Sequence, residues 1–207
     1  MIKIIAMLTM LLDHVGQVFF PNMIIFPIVG RLALPIFAWG IVNGYKKTRN
    51  FKIYALRILI LAIVSQYPYM LLFKNEYFNI CFTLLTGLII LKVYDLKLNG
   101  FLKAFIILFL GLVAHEFDFE YGIYGIALLL IFHISDRKYY YLVPLQIAVT
   151  FIGMKLYRFE SLQLISIVSI GVIVLFEKYN FRINKIINYG FYPGHIIILL
   201  IIKNLLP

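Results

Sequence analysis

Cysteine and charged residues are both scarce in this sequence of 207 residues. The only cysteine, Cys81, excludes an intrachain disulfide and a metal site built from several cysteines. Charged residues make up 14% of the chain and hydrophobic residues 63%, whereas a soluble domain has roughly 25% charged residues. Such a chain has too little polar surface to coat a soluble particle. Soluble enzymes and soluble nucleic-acid-binding proteins are therefore excluded, and the sequence predicts a polytopic membrane protein.

Acidic residues are also few, with 9 Asp and Glu against 19 Lys and Arg, which gives a net charge of +10. In a membrane protein an excess of cations is typical of cytoplasmic loops that face anionic lipid. We therefore expect the lipid bilayer, and no nucleic acid, as a partner of this chain. The expected location is the plasma membrane, or the inner membrane of a bacterium, with several crossings.

The apolar segments are continuous runs, as at residues 104–114 and 126–132, and do not alternate with polar residues as in a membrane β-barrel. The expected fold is an all-α transmembrane bundle, one domain over residues 1–207, with about nine spans (eight to ten). Their approximate limits are residues 2–20, 24–45, 51–73, 78–94, 101–114, 121–134, 139–157, 162–176 and 187–202. The fifth and sixth are shorter than the roughly 20 residues that cross a bilayer. They either cross where the bilayer is thinner or form a re-entrant pair.

The distribution of Lys and Arg predicts that the N-terminus is cytoplasmic. With nine crossings, only Lys74, Lys155, Arg158 and Lys203 lie outside, and Arg31 lies within a span. The cytoplasmic side then holds Lys3, Lys46, Lys47, Arg49, Lys52, Arg57, Lys92, Lys97, Lys103, Arg137, Lys138, Lys178, Arg182 and Lys185. No small-residue cleavage site follows the first apolar run, so we expect the first span to be retained.

Ionisable residues inside spans cost several kcal/mol and indicate function. Asp13 and His14 lie in the first span, and Arg31 lies in the second. At 1.5 Å per residue, Asp13 and Arg31 are each about 10 Å below the outer surface, so an ion pair is expected. One interpretation is that this pair only holds the first two helices together. The other is catalytic, with His14 as a general base and a nearby carboxylate orienting it.

Three further clusters are candidates for function. Glu120 enters the sixth span, Pro193-Gly194 interrupts the last span before His195, and polar residues intrude elsewhere near the outer side. The candidate substrate-binding residues are Asn79, Thr83, His115, Tyr121 and Tyr124. The densest basic cluster is either a positive-inside signal or a site for cofactor phosphates. Its candidate cofactor-binding residues are Tyr45, Lys46, Lys47, Arg49 and Arg57. No metal-binding motif is present.

Several of these segments, in the same order along most of the chain, resemble the TraX family. They are the Leu-Asp13-His14-Val segment, the Gly30-Arg31-Leu-Ala-Leu-Pro35 segment, the Gly44–Asn50 turn, the Asn79–Gly87 segment, the Glu120–Gly125 step and the Tyr192-Pro193-Gly-His195 segment. The resemblance implies an integral membrane, acetyl-CoA-dependent acyltransferase like the pilin acetylase for which the family is named. More distantly, the chain is similar to heparan glucosaminide N-acetyltransferase. Two positions depart from the family pattern: Glu120 stands where Asp is common, and Gly194 where an apolar residue is usual.

The resemblance and the spacing together suggest a mechanism. Acetyl-CoA would bind its phosphates at the inner basic cluster, while an amine or hydroxyl of an extracytoplasmic protein or glycan would arrive from outside. His14 would remove the acceptor proton, Asp13 or Glu120 would orient His14, and Arg31 would hold the oxyanion or Asp13. His195 would act on the thioester or carry the acetyl group in a two-step variant. No metal is expected.

Two other classes of function remain open from the sequence. A small permease or solute-binding membrane subunit would use Asp13, His14 and Arg31 to bind an ion or a polar solute. A passive scaffold subunit would tolerate isosteric replacement of the same three residues. The identity of the acceptor and the oligomeric state do not follow from the sequence.

Overall fold

A computed structural model describes residues 1–179 and 184–206. The secondary structure of these residues is helical, with no β-strand. The α-helices are α1 (Ile2–Phe19), α2 (Ile25–Gly30), α3 (Ala33–Lys47), α4 (Phe51–Phe73), α5 (Ile80–Asp95), α6 (Gly100–Glu116), α7 (Gly122–Ser135), α8 (Tyr139–Tyr157), α9 (Val168–Phe176) and α10 (Lys185–Leu205). A 3-10 helix (Ser161–Ile167) leads directly into α9. The predicted all-α class is confirmed.

The helices of the described residues group into nine units that match the nine predicted spans. Two units are broken helices: α2 with α3, and the 3-10 helix with α9. The break between α2 and α3 falls at Arg31 and Leu32. Pro35 explains it, because proline has no N–H to donate to the carbonyl of Arg31 one turn earlier.

The short helix α7 crosses the bundle and does not form half of a re-entrant pair. Helix α7 packs alongside α5 from one end of the bundle to the other. At one end the Glu120 carboxylate, just before α7, accepts from the backbone N–H of Ile80 at 3.0 Å. At the other end Nε2 of His133 lies 2.9 Å from Oδ1 of Asp95. Fourteen residues rise only about 21 Å, so this crossing is short for a bilayer of about 30 Å.

Within residues 1–179 and 184–206, four helical segments are long and apolar enough to span a membrane: Ile2–Phe19, Ile25–Lys47, Phe51–Phe73 and Ile186–Leu205. Gly122–Ser135 and Ser161–Phe176 are apolar but shorter. The periphery is also apolar: on α6, Phe105, Leu108, Phe109 and Leu112 are each more than half exposed. Such exposed apolar faces suit contact with lipid rather than with water. The chain is therefore an all-α membrane protein.

The two ends of the bundle differ in charge. The basic end, where Met1, Lys46, Lys52 and Arg137 lie, holds the residues that the sequence places in the cytoplasm. An ion pair between Lys46 and Asp136 joins two of the chain segments at this end. The N-terminal amine joins two others, because it donates a hydrogen bond to the carbonyl of Tyr179 at 3.1 Å. The Lys46 ammonium lowers the pKa of Asp136 below its usual value by hydrogen bonding and charge. Arg182 lies outside the described residues, as does the side chain of Lys185. The opposite end, where Phe19, Phe73, Ile80 and Gly122 lie, is called the far end below.

Candidate functional site

Two histidines from the first and last helices meet in the interior. Nδ1 of His14 on α1 lies 2.8 Å from Nε2 of His195 on α10, and each residue is only 6% exposed. On its other side, Nδ1 of His195 lies 2.7 Å from the carbonyl of Phe191, one turn earlier on α10. The edge of the Phe73 ring packs against His14 at a centroid distance of 4.9 Å. The structure therefore brings together two of the predicted catalytic residues, 181 positions apart in sequence.

These contacts assign the protons of the two neutral rings. A carbonyl only accepts hydrogen bonds, so Nδ1 of His195 carries a proton and donates to Phe191. Nε2 of His195 is then an acceptor, and Nδ1 of His14 donates to it. The proton of His14 is therefore on Nδ1, and its Nε2 carries a lone pair. A neutral imidazole with this nitrogen free is a candidate general base.

An apolar cavity of about 260 Å³ lies between α1, α3, α4, α5 and α10. Lys3, Tyr54 and Asn188 line it toward the basic end. Along α1 its lining runs from Ile2 to Met10, a rise of about 12 Å. Its deepest lining residues are Met10, Ile80, Cys81, Phe191 and Tyr192.

A second cavity, of about 240 Å³, lies at the far end and is mainly polar. It is lined by His14, Gln17, Val18, Tyr69, Leu72, Phe73, Lys74, Asn75, Glu120 and Lys203. His14 thus borders the polar cavity, whereas Met10, one turn before it, borders the apolar cavity. On α10, Phe191 also borders the apolar cavity one turn before His195. The histidine pair therefore lies between the two cavities.

The Tyr192 hydroxyl is a buried donor without an acceptor. Tyr192 is 6% exposed and lines the apolar cavity, and its hydroxyl makes no hydrogen bond among the residues that the structure describes. Its ring is 5.7 Å from the ring of His195. An unpaired buried hydroxyl costs about 1–3 kcal/mol, so it indicates a position where a ligand or water is expected to accept.

Asp13 and Arg31 do not form the expected ion pair. In the described part of the chain, the three ion pairs all lie at the basic end: Lys46–Asp136, His133–Asp95 and Arg137–Glu177. The carboxylate of Asp13 packs against Gly30, where a Cβ would be 2.1 Å from Oδ1, and accepts from Gln17 at 2.8 Å. The helix break directs Arg31 toward α7 instead, where Nη1 donates to the hydroxyl of Tyr121 at 3.3 Å. Oδ1 of Asp13 and Nε of Arg31 are buried, and neither has a partner in the part of the chain that the structure describes.

Glu120 borders the polar cavity together with His14. Its Oε2 accepts from the first N–H of α5, at Ile80, and its backbone carbonyl accepts from Thr83 at 2.5 Å. A carboxylate at a helix N-terminus is stabilised by the helix dipole. This arrangement fixes the Glu120 side chain where the two cavities approach each other, because Ile80 lines the apolar one.

None of the five candidate substrate-binding residues lines either large cavity, although the rings of Tyr121 and Tyr124 are 6.1 Å apart, and their assignment stays a prediction. The amide of Asn79 bonds Gln66, the carbonyl of Ala62 and the N–H of Cys81, which joins α4 to α5. Tyr121 contacts Arg31, while His115 packs its ring edge-on against Tyr157 at 5.5 Å.

Tyr124 belongs to a second buried polar group, the tyrosine cluster, which joins α7 to α8 and the 3-10 helix. The hydroxyl of Tyr124 accepts from Gln163 at 3.1 Å and is 3.3 Å from the Ser166 hydroxyl. Gln146 donates to the Ser166 carbonyl at 2.9 Å. All four residues of the cluster are at most 2% exposed, and none lines either large cavity.

The basic cluster expected to hold cofactor phosphates is divided in the structure, and its role also stays a prediction. The hydroxyl of Tyr45 donates to Asp95 at 2.7 Å, and Lys46 pairs with Asp136. Lys47, Arg49 and Arg57 are exposed. None of these five lines the apolar cavity, whereas Lys3 does.

Sequence reasoning missed four cavity residues: Tyr69, Lys74, Tyr192 and Lys203. For Tyr192 a signal existed, since it lies three residues before a histidine inside a span. Lys74 and Lys203 were visible only as the few basic residues on the outer side. Tyr69 had no signal, because a tyrosine in an apolar helix usually packs or anchors at an interface.

Comparison with known proteins gives three results. A sequence model of the TraX protein family matches residues 1–203. A probable fimbrial assembly protein FimC, serogroup H1, from Dichelobacter nodosus is 30% identical over 155 residues, which cover 66% of this chain and 63% of that protein. An uncharacterized protein of Rickettsia prowazekii (strain Madrid E), RP591, is 25% identical over 145 residues, covering 67% of this chain and 56% of that protein.

The chain thus spans less than two thirds of the length of either relative. No solved structure matches it. The family match, however, extends over nearly the whole sequence and includes every candidate site residue. The chain is a member of the TraX family.

Proposed function

We propose that this protein is a membrane acyltransferase that moves an acetyl group from cytoplasmic acetyl-CoA to an amine or hydroxyl of an acceptor at the far end. The observation that carries the proposal is the His14–His195 pair between an apolar cavity and a polar one. The donor and the acceptor would approach the pair from opposite ends of the bundle, in the inner or plasma membrane.

The apolar cavity suits the pantetheine arm of coenzyme A. Its lining from Ile2 to Met10 admits a narrow chain along about 12 Å of α1. Lys3 and Asn188 at the basic end offer an ammonium and an amide to the phosphates that stay outside. A permease for a polar solute would have little use for this lining, because most of it is aliphatic or aromatic.

His14 is the proposed base. Its Nε2 would accept the proton of the acceptor amine or hydroxyl as the acceptor attacks the thioester carbonyl. The new C–N or C–O bond forms, the C–S bond breaks, and the proton on His14 passes to the departing thiolate. His195 holds Nδ1 of His14 throughout, and both nitrogens of His195 are engaged. This favours His195 as a positioning residue and direct transfer over a two-step route through an acetylated His195.

Tyr192 is the proposed donor to the thioester oxygen. Tyr192 lines the deep part of the apolar cavity, and its hydroxyl has no acceptor among the residues that the structure describes. A donor already in place where negative charge develops stabilises the transition state without reorganisation. Arg31, expected from the sequence to serve here, lines neither cavity. Glu120 at the polar cavity would orient the acceptor group.

The comparisons support the acceptor class only broadly. The relative from Dichelobacter nodosus is named as a fimbrial assembly protein, and the family resemblance implies acetylation of a pilin N-terminus. A protein N-terminus is an amine, one of the two acceptor groups from which His14 would remove a proton. We therefore propose an extracytoplasmic protein or glycan acceptor, with a pilus subunit as the first to test.

The test uses sealed vesicles that contain the full chain, with acetyl-CoA labelled in its acetyl group on the basic side and cell-surface material on the far side. We expect label in the far compartment and release of coenzyme A. The His14→Ala variant should lower the rate by about 10²–10⁴-fold, as for loss of a general base. The matched control is His133→Ala, since His133 lies at the basic end beside Asp95.

Equal rates for wild type and His14→Ala would contradict the base assignment. Saturable uptake of a solute without release of coenzyme A would contradict the enzyme and support the permease interpretation.

A further inference from the structure

The polar cavity concentrates positive charge at an end of the bundle that is otherwise acidic. Two lysines, Lys74 and Lys203, line this cavity. The other basic residues of the far end, Lys155 and Arg158, do not. Among its lining residues Glu120 is the only acid, although Glu76, Glu116, Asp118 and Glu160 also lie at this end. The cavity therefore differs in charge from its rim.

Lys203 is held in place by the protein. Its Nζ donates to the carbonyl of Leu72 at 2.8 Å. This carbonyl lies in the last turn of α4, where backbone acceptors lack helical partners. An ammonium has three protons, so two remain for a ligand. Neither Lys203 nor Lys74 makes an ion pair with a residue that the structure describes.

Asn75 adds a neutral donor beside the two lysines. Its Oδ1 accepts from the N–H of Tyr77 at 3.3 Å. The Asn75 amide carries two protons, and the neighbouring Tyr69 hydroxyl is placed to accept one of them, which leaves the other for a ligand. Two ammonium groups and an amide around one small cavity are the donors that bind a phosphate or carboxylate by charge-assisted hydrogen bonds.

We infer that Lys74 and Lys203 bind an anionic group, phosphate or carboxylate, that belongs to the acceptor. The reacting amine or hydroxyl of the same molecule then lies near His14 and Glu120, which line the same cavity. Only the identity of the ligand as the acceptor rests on the proposed acetyl transfer. The anion site itself is independent of it. Its role is selectivity, because a neutral molecule gains nothing from the two ammonium groups and leaves them unpaired.

The test measures the binding of inorganic phosphate to the full chain in nanodiscs of phosphatidylcholine. The broadening of the phosphate line in ³¹P NMR is the readout. We expect saturable broadening by the wild type and about a tenfold weaker affinity in the Lys74→Gln/Lys203→Gln double variant. Lys203→Arg keeps the charge and should keep the binding, which separates loss of charge from misfolding. Lys155→Gln is the matched control, since it removes a lysine of the same end outside the cavity.

Phosphate binding is measured without acetyl-CoA and without an acceptor, so a failure of acetyl transfer leaves this inference intact, and the reverse also holds. Absence of saturable binding, or an equal loss in Lys155→Gln, would overturn it. A second arm uses nanodiscs that contain phosphatidylglycerol. If phosphate binding disappears there, the lysines bind a lipid headgroup and the assignment to the acceptor is wrong; unchanged binding supports it.

Discussion

The histidine cluster (His14, His195 and Glu120) and the tyrosine cluster (Tyr124, Gln146, Gln163 and Ser166) are both polar groups inside an apolar bundle. The tyrosine cluster contains only neutral side chains, which bond one another and tie α7 and α8 to the 3-10 helix. In the histidine cluster all three side chains are ionisable, and two of them line a polar cavity.

The proposed function implies that polar burial alone does not identify a functional site in this protein. Neutral groups that bond one another fix the packing of helices, even though Oε1 of Gln146 and of Gln163 has no partner among the described residues. Ionisable groups beside a cavity retain the capacity to bind and to exchange protons. We therefore expect substitutions in the histidine cluster to change rates and substitutions in the tyrosine cluster to change stability. Three substitutions test this contrast, in order of decreasing effect.

The largest effect is expected for His195→Phe, which keeps an aromatic ring but cannot accept a hydrogen bond from Nδ1 of His14. The catalytic rate constant for acetyl transfer should fall by about 10²-fold, because His14 loses its orientation and its tautomer. The Michaelis constant for acetyl-CoA should change little. His195→Gln should restore part of the rate, since its amide oxygen accepts a hydrogen bond. A rate equal to the wild type in His195→Phe would show that the pair is only structural.

A smaller loss of rate is expected for Tyr192→Phe, about 10-fold to 10²-fold, because one donor to the thioester oxygen is removed. Thermal stability should stay the same or rise, since the lost hydroxyl has no partner in the structure. Rate and melting temperature are measured on the same preparation. A lower melting temperature with an unchanged rate would reverse the assignment and make Tyr192 a packing residue.

Tyr124→Phe should affect stability alone. It removes the hydroxyl that contacts Gln163 and Ser166 and leaves both with fewer partners, at a cost of about 1–3 kcal/mol. Thermal unfolding in detergent measures the loss, with Tyr140→Phe, an exposed tyrosine, as the control. The rate per folded molecule should equal that of the wild type, and a rate reduced like that of His195→Phe would refute the distinction between the clusters.

The helices were largely predictable from sequence because crossing a membrane requires long apolar segments with polar connections. The nine predicted spans correspond to nine helical units in the described residues, including the short α6 and α7. The break at Arg31 could have been inferred from Pro35, but the spans at 24–45 and 162–176 were predicted as single helices. The sequence also indicated His14 and His195 as ionisable residues in spans.

The partners of these residues were not predictable. That His14 meets His195 depends on how α1 and α10 pack, and sequence spacing within one helix says nothing about it. The expected pair of Asp13 and Arg31 was inferred from equal depth, but depth does not determine direction, and the helix break directs Arg31 toward Tyr121. The cavities likewise depend on the packing of five helices at once, so Tyr192 and Lys203 became candidates only from the structure.

Entry of the pantetheine arm of coenzyme A into the apolar cavity can be tested at Cys81. This residue is the only cysteine of the chain and lines the deep part of that cavity. The pyridyl disulfide of coenzyme A would exchange with its thiol, forming a CoA–Cys81 disulfide and releasing pyridinethione. We expect the intact protein to gain the mass of one coenzyme A, with acetyl-CoA preventing the reaction and Cys81→Ser abolishing it. Modification of Cys81 by a small methanethiosulfonate but not by the coenzyme A disulfide would contradict the account.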